Sequence, residues 1–314
     1  MRLAARYSLK WLIQAILLGL SAAFALIPFL SDLSSRADLI TQFLLQGAAF
    51  TVAFALLAVF LRHWKFAGAH TLCLLVQIFH MQPPLIPNTA VASTQTVRLV
   101  FSNLWADNHQ RAAAMHTLER LDADILVTAE TVNGWREDLA AISDDFGAEA
   151  DCFNLSGCDL VIHSRFPIVD TQTPAERWNR SRAVYAGIET PAGILGIIGA
   201  HMTRPIPVGQ VHHQQKHAEL LTSLASEIEG PLVLVGDFNA VTWGRVVRQI
   251  ERDSGLSAHR GMEGTWPSAM PWPFRLPIDH IFTSDDVEIV SREVVNLPGS
   301  DHHAVMVELR LRSG

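Results

Sequence analysis

Two long stretches of the chain are apolar and free of charge, Trp11 to Ser31 and Leu39 to Leu61. Each is long enough to cross a hydrocarbon core of about 30 Å as a helix. A third apolar stretch, roughly Trp64 to Ile86, contains His70, Gln77 and His80 and closes at Pro83-Pro84. A buried helix of a soluble protein normally shows a polar face at this length, and the first two stretches show none. The pattern therefore predicts an α-helical membrane anchor of about three transmembrane helices over residues 1–86. Residues 87–96, rich in Ser and Thr, read as a linker.

From Val97 onward the pattern changes. Short apolar runs bounded by turn residues alternate with helical stretches. Val97 to Ser102, Asp124 to Thr128, Asp159 to His163, Ala183 to Glu189, Ile194 to His201, Pro231 to Val235, Ile278 to Thr283 and His303 to Leu311 read as strands. Helices are expected from Asp107 or Asn108 to about Leu121, from Trp135 to Ile142, from Gly209 to Glu229 and near Trp243 to Asp253. This order implies an α/β domain with mixed sheets over residues 97–314.

Charge separates the two parts. Of 24 Lys/Arg and 31 Asp/Glu, six basic and two acidic residues precede Ala92, a net of +4. The remaining 18 basic and 29 acidic residues give the rest of the chain −11. That balance disfavours tight nonspecific binding to nucleic acid, which depends on Lys and Arg neutralising phosphates. Arg2, Arg6 and Lys10 precede the first apolar stretch, and Arg62 and Lys65 follow the second. Positive flanks stay cytoplasmic, so three crossings would place the α/β domain on the outer face of a bacterial-type inner membrane. Cys152 and Cys158 lie six residues apart, and outside the cytoplasm such a pair is a candidate disulfide.

Polar residues recur at the carboxyl ends of the expected strands: Asn103, Glu130, His201, Asp237 with Asn239, Asp279, and Asp301 with His302. Open α/β folds build their sites at such a rim. Singly, each has a structural explanation, such as a loop cap or an Asx turn. Together they combine hard oxygen ligands with imidazoles that titrate near neutral pH.

The stretches Ala123-Asp-Ile-Leu-Val-Thr-Ala-Glu130, Gly157-Cys-Asp-Leu-Val-Ile-His-Ser-Arg-Phe-Pro-Ile168, Gly199-Ala-His201, Gly236-Asp-Phe-Asn-Ala240, Pro277-Ile-Asp-His-Ile-Phe282 and Gly299-Ser-Asp-His-His303 occur in this order. With Asn103-Leu-Trp they resemble the endonuclease/exonuclease/phosphatase superfamily, which includes deoxyribonuclease I and the neutral sphingomyelinases. The resemblance implies a four-layered α/β sandwich, two mixed sheets flanked by helices, and a metal-dependent phosphoesterase. It implies Mg²⁺, with Mn²⁺ as the alternative, held by Glu130, Asn103 and Asp301. His302 would be the general base, oriented by Asp279 as the acid orients histidine in a catalytic triad. Asp237 and Asn239 would position water and phosphate, and His201 would donate to a phosphoryl oxygen or the leaving group. Trp105 stands where apurinic endonucleases carry an acid, which leaves open whether a second metal binds, and His201 stands where they carry tyrosine, which leans toward the deoxyribonuclease and sphingomyelinase side.

Arg204 and Arg182 are candidates for a substrate phosphate. Trp266-Pro-Ser-Ala-Met-Pro-Trp-Pro-Phe274 is unusually apolar for a loop; it either packs over the sheet or meets lipid. Apolar stretches followed by this domain also resemble the membrane phosphatases of teicoplanin resistance, which act on undecaprenyl pyrophosphate. The expected function is hydrolysis of a lipid-linked phosphate or pyrophosphate, or of a phospholipid, on the extracytoplasmic side. A membrane-anchored nuclease acting on DNA or RNA is the alternative, and a non-catalytic binding protein on the same fold is a second one.

Overall fold

The computed structural model describes residues 2–82, 96–132, 134–142, 145–155, 157–174 and 182–312. It divides into two compact units, Met1–Pro83 with Trp243–Arg245, and Pro84–Thr242 with Val246–Gly314. Most of the expected linker lies outside the described residues.

The first unit is helical: α1 (Arg2–Leu26), α2 (Ser35–Thr41), α3 (Leu44–Phe60) and α4 (Trp64–Met81). A buried polar seam joins α1, α3 and α4. Ser21 Oγ lies 2.9 Å from His70 Nδ1, and Gln77 Nε2 donates to Thr51 Oγ1 at 3.1 Å and to the Ser21 carbonyl at 3.2 Å. His70 and Gln77 of α4 thus face the other helices.

The expectation of about three transmembrane helices is corrected here. Among the described residues one helical stretch, Leu9–Leu30, is by itself long and apolar enough to cross a bilayer. The pair α2 and α3, bent by 59°, would make a second only if counted as one span. α4 falls short because Lys65, His70, Gln77 and His80 dilute an 18-residue helix.

The second unit begins with β1 (Val97–Asn103), α5 (Arg111–Arg120), β2 (Ile125–Ala129), α6 (Trp135–Ala140), β3 (Ala148–Asp151), β4 (Val161–Ser164) and β5 (Ile168–Gln172). There follow β6 (Ala183–Thr190), β7 (Gly193–His201), α7 (Val211–Ser226), β8 (Leu232–Asp237) and α8 (Arg245–Ser254). The chain closes with β9 (Ser257–Ala258), β10 (Asp279–Thr283), β11 (Val287–Asn296) and β12 (His303–Leu311). Among the described residues the strands form two six-stranded sheets, β11-β12-β1-β2-β4-β3 and β5-β6-β7-β8-β10-β9. β1 runs parallel to β2 and β7 to β8, each pair bridged by a crossover helix, and the other pairings are antiparallel. Both sheets are therefore mixed, as the pattern implied.

Side chains alternate across each strand, and this sorts the apolar residues into three layers. Leu99, Phe101, Ile125, Val127, Ile197, Val233, Val235 and Ile281 meet between the sheets. Val100, Leu126 and Ala304 pack outward under α5 and α6. Ile198, Leu232 and Leu234 pack outward under α7 and α8. The result is the α/β/β/α sandwich. Counting on by twos, Asn103, His201, Asp237 and Asp279 fall on the inner faces, at one end of the layer between the sheets. On β8, Gly236 occupies a position where a Cβ would land on the Ala200 carbonyl of β7. Only glycine lets the two strands approach there.

Differences from the expected elements lie at the edges. The helix after β1 starts at Arg111 because Asn108 caps a preceding turn, its Oδ1 accepting from Gln110 N–H at 2.7 Å. β3, β5, β9 and β11 are edge or next-to-edge strands whose outer residues are polar, so their period is weak.

Burial pushes His217 and His280 down to about 4 from 6.5. His280 Nε2 donates to the Ala240 carbonyl at 2.6 Å. Each is held neutral while the unfolded chain would bind a proton. Their contribution to stability is present above pH 6.5 and is lost as pH falls through about 4. Thermal melts should show the melting temperature falling between pH 6.5 and about 5, before most carboxylates titrate. A flat melting temperature across that window would contradict this account.

Candidate active site

Strand register places the first three groups. In the parallel pair β7·β8, His201 lies beside Asp237, and in the antiparallel pair β10·β8, Asp279 lies beside Asp237. One row across the sheet thus reads His201, Asp237, Asp279. From the facing sheet, Asn103 ends β1 and Glu130 follows β2. Ser300 Oγ donates to the Asn103 carbonyl at 2.8 Å and accepts from His302 N–H at 3.0 Å. That pair of bonds fixes the segment carrying Asp301 and His302 against the end of β1.

Asp237 is fully buried. Its Oδ1 accepts from Asn239 N–H at 2.8 Å, and its Oδ2 accepts from Asn103 Nδ2 at 3.1 Å and from Asn239 Nδ2 at 3.2 Å. The same Oδ2 lies 3.8 Å from the Nε2 atoms of both His201 and His302. Behind each imidazole stands a further carboxylate. His302 Nδ1 donates to Asp279 at 2.9 Å, and His201 Nδ1 lies 3.1 Å from both oxygens of Asp159. Two Asp–His pairs converge on one aspartate.

The electrostatics follow from this arrangement. Burial lowers the proton affinity of His302, but Asp279 and Asp237 outweigh it and push it up to about 9. His201 is likewise raised, with Asp159 overcoming the effect of burial. Burial raises Asp237 although both histidines oppose that. Asp159 is lowered, because His201 and Arg182 together outweigh its desolvation.

Three residues at this rim adopt left-handed backbone without being glycine: Trp105 at φ 58°, Glu130 at φ 58° and Asn239 at φ 48°. Such conformations are costly for ordinary side chains and gather at functional sites. Glu130 is turned so that its Oε2 accepts from Ala106 N–H at 2.9 Å and its Oε1 from Asn103 Nδ2 at 3.2 Å.

The residues expected to hold a cation are placed as follows. Asp301 Oδ2 accepts from the Trp266 indole at 3.0 Å, while its Oδ1 is buried without a hydrogen-bond partner. An orphaned carboxylate oxygen suits a divalent ion. Glu130 adds a carboxylate on the edge of an open pocket. The amide of Asn103 is oriented differently from a simple ligand. Its Oδ1 accepts from Trp105 N–H at 3.0 Å and its Nδ2 bridges Glu130 and Asp237. Asn103 holds two carboxylates together. A second group, Asp237, Asp279 and His302, has ligand atoms within 4.8 Å of one another. Two of its members are already joined by a hydrogen bond, and imidazole is a poor partner for Mg²⁺.

Asp159, Ser300 and Trp266 were not among the expected functional residues. Asp159 reads as the opening of an apolar strand, and nothing in its own stretch marks a partner 42 positions downstream. Arg182 lies 3.2 Å from Asp159 and 3.0 Å from His201 Nδ1, which ties it to the His201 pair. Arg204 is more than half exposed and reaches Glu130 at 3.6 Å. Cys152 and Cys158 are disulfide-bonded, with Cα atoms 5.6 Å apart. Trp266 is anchored at Asp301, whereas Met270, Trp272 and Phe274 are exposed.

The chain has structural relatives of low sequence identity. Sphingomyelinase C from Streptomyces griseocarneus is 13% identical over 68% of this chain and 99% of its own, with a TM-score of 0.52. A Staphylococcus aureus beta toxin mutant with bound magnesium ions is 16% identical over 70% and 100%, with a TM-score of 0.53. TDP2 from D. rerio, complexed with a single-strand DNA product, is 14% identical over 69% and 99%, with a TM-score of 0.57. No curated protein matches the chain. The model of the Endonuclease/Exonuclease/phosphatase family matches residues 99–302, which span the whole site. The chain therefore belongs to that family, and it is a metal-dependent hydrolase of phosphoester bonds.

Proposed function

We propose that the protein is a membrane-anchored phosphoesterase that cleaves a lipid-linked phosphate or pyrophosphate, or a phospholipid, on the extracytoplasmic side. The observation that carries the chemistry is the convergence of two Asp–His pairs on the buried Asp237. Glu130 and Asp301 would hold Mg²⁺, and the magnesium of the related beta toxin supports that choice. When bound, the cation would neutralise phosphoryl oxygen charge and, held by the residue next to His302, would lower the proton affinity of that imidazole so that Nε2 can act as base.

The chain's own groups divide the remaining work. Asp237 and Asn239 orient a water for in-line attack, and His302 Nε2 takes its proton. Asp279 holds the imidazole in the tautomer that leaves Nε2 facing the water and stabilises the charge that develops. His201, kept protonated by Asp159, donates to the phosphoryl oxygen or to the leaving group. Arg204 meets substrate phosphate, and Arg182 keeps the His201 pair aligned.

The lipid assignment rests on context. The domain carries −11, which is unfavourable for a polyanion. The apolar stretch Leu9–Leu30 supplies an anchor. One crossing with Arg2, Arg6 and Lys10 inside leaves the enzyme outside, whereas a second crossing by the bent pair would reverse it. The Cys152–Cys158 disulfide favours the outside. The structural likeness to TDP2 with its DNA product supports the nuclease alternative.

A substrate panel tests the reading. With Mg²⁺ the purified protein should release phosphate from an isoprenyl diphosphate faster than it cleaves single- or double-stranded DNA, and EDTA should abolish the reaction. His302→Ala and Asp237→Ala should each lower kcat by about 10²–10⁴-fold while the protein stays folded, with a cooperative melt. Activity unchanged by EDTA would remove the metal, and faster cleavage of DNA would favour the nuclease.

Topology is tested separately. An alkaline phosphatase fused after Thr96 should be active in a bacterial host. An inactive fusion there would place the domain in the cytoplasm.

A further inference from the structure

Trp266 opens the Pro- and Trp-rich loop that precedes β10, and backbone bonds brace the base of that loop on two sides. Thr265 N–H and Trp266 N–H donate to the Leu276 carbonyl at 2.9 and 3.1 Å, and Leu276 N–H donates back to the Trp266 carbonyl. Gly264 lets the two ends close, because a Cβ there would fall on the backbone of Arg275. On the other side, His303 N–H donates to the Thr265 carbonyl at 3.0 Å, and Ser268 N–H donates to the Asp301 carbonyl at 2.8 Å. Ser268 Oγ donates to the Ser300 carbonyl at 2.7 Å. The backbone on either side of Trp266 is thus fixed to the segment that carries Asp301 and His302.

The indole then treats the two carboxylate oxygens of Asp301 differently. Oδ2 accepts from Trp266 Nε1 at 3.0 Å, while Oδ1 is buried without a hydrogen-bond partner. An indole only donates. It has no lone pair to offer a cation, so it holds one oxygen without competing for an ion and leaves the other oxygen unclaimed. A carboxylate free to turn about its last bond would carry a buried acceptor toward a donor, and the bond to Oδ2 removes that freedom. His302 does not supply the missing donor. Its N–H is committed to Ser300 Oγ at 3.0 Å and its Nδ1 to Asp279 at 2.9 Å.

We infer that Trp266 is a positioning residue for the divalent cation: by donating to Oδ2 it presents Oδ1 of Asp301 as a ligand. The inference rests on the proposal that Asp301 holds the ion. Groups behind a metal ligand fix its orientation, and their loss commonly lowers metal affinity by about 10–100-fold. A ring that only packed over the sheet would need its shape and not its N–H.

Calorimetric titration of the metal-free, full-length protein in detergent with Mn²⁺ separates these roles. In Trp266→benzothienylalanine, introduced by an orthogonal synthetase, sulfur replaces the N–H and the bicyclic ring is kept. Mn²⁺ affinity should fall by about 10–100-fold in this variant and in Trp266→Phe. Trp272→Phe, at the exposed tip of the same loop, should bind like the parent. A benzothienylalanine variant that binds Mn²⁺ as tightly as the parent would overturn the inference, and so would an equal loss in Trp272→Phe. Asp301→Asn isolates the underlying reading. Tight binding that survives there would take the ion away from Asp301 and overturn both. Binding lost in Asp301→Asn but intact in the benzothienylalanine variant would keep the ion at Asp301 and remove Trp266 alone.

Discussion

The site depends on keeping a carboxylate at zero exposure. Asp237 is inside because the period of β8 continues the inner-face series Val233, Val235 by one more step. Burial of a lone carboxylate is costly, and every surrounding feature offsets that cost. Two amide side chains and one backbone N–H bond to it, and two imidazoles stand 3.8 Å away. The imidazoles can remain charged only because Asp159 and Asp279 stand behind them. Removing any member leaves another buried charge short of a partner, so the five groups stand or fall together. This places the chemistry at the end of the inter-sheet layer rather than on a mobile loop.

Sequence reading recovered the central strands and the crossover helices because their apolar periods are strong. It missed edge strands such as β11, where Ser291, Arg292 and Glu293 blur the alternation. Asn103, Glu130, Asp237, Asp279 and His302 were legible because they stand at strand ends within recognisable motifs. Asp159 was not, since its role is defined by a contact with His201 across 42 residues. Trp266 was visible only as part of an apolar loop, and its bond to Asp301 is a tertiary fact. The orientation of the Asn103 amide also lay beyond sequence, because it is fixed by the Trp105 N–H two residues on.

The helical unit carries a similar lesson. Hydropathy alone suggested three spans, yet His70 and Gln77 of α4 spend their polarity on Ser21 and Thr51 of the neighbouring helices. A stretch with buried polar residues can be a helix without being an independent span.

Under the proposed function the labour divides, with proton handling around Asp237 and cation binding at Glu130 and Asp301. Titration of the metal-free protein with Mn²⁺, followed by electron paramagnetic resonance, tests that division most directly. Glu130→Gln and Asp301→Asn should each abolish tight binding, whereas Asp279→Asn should leave the ion bound. Tight binding that survives both of the first two substitutions but disappears in Asp279→Asn would assign the ion to the Asp237, Asp279 and His302 cluster and contradict the account.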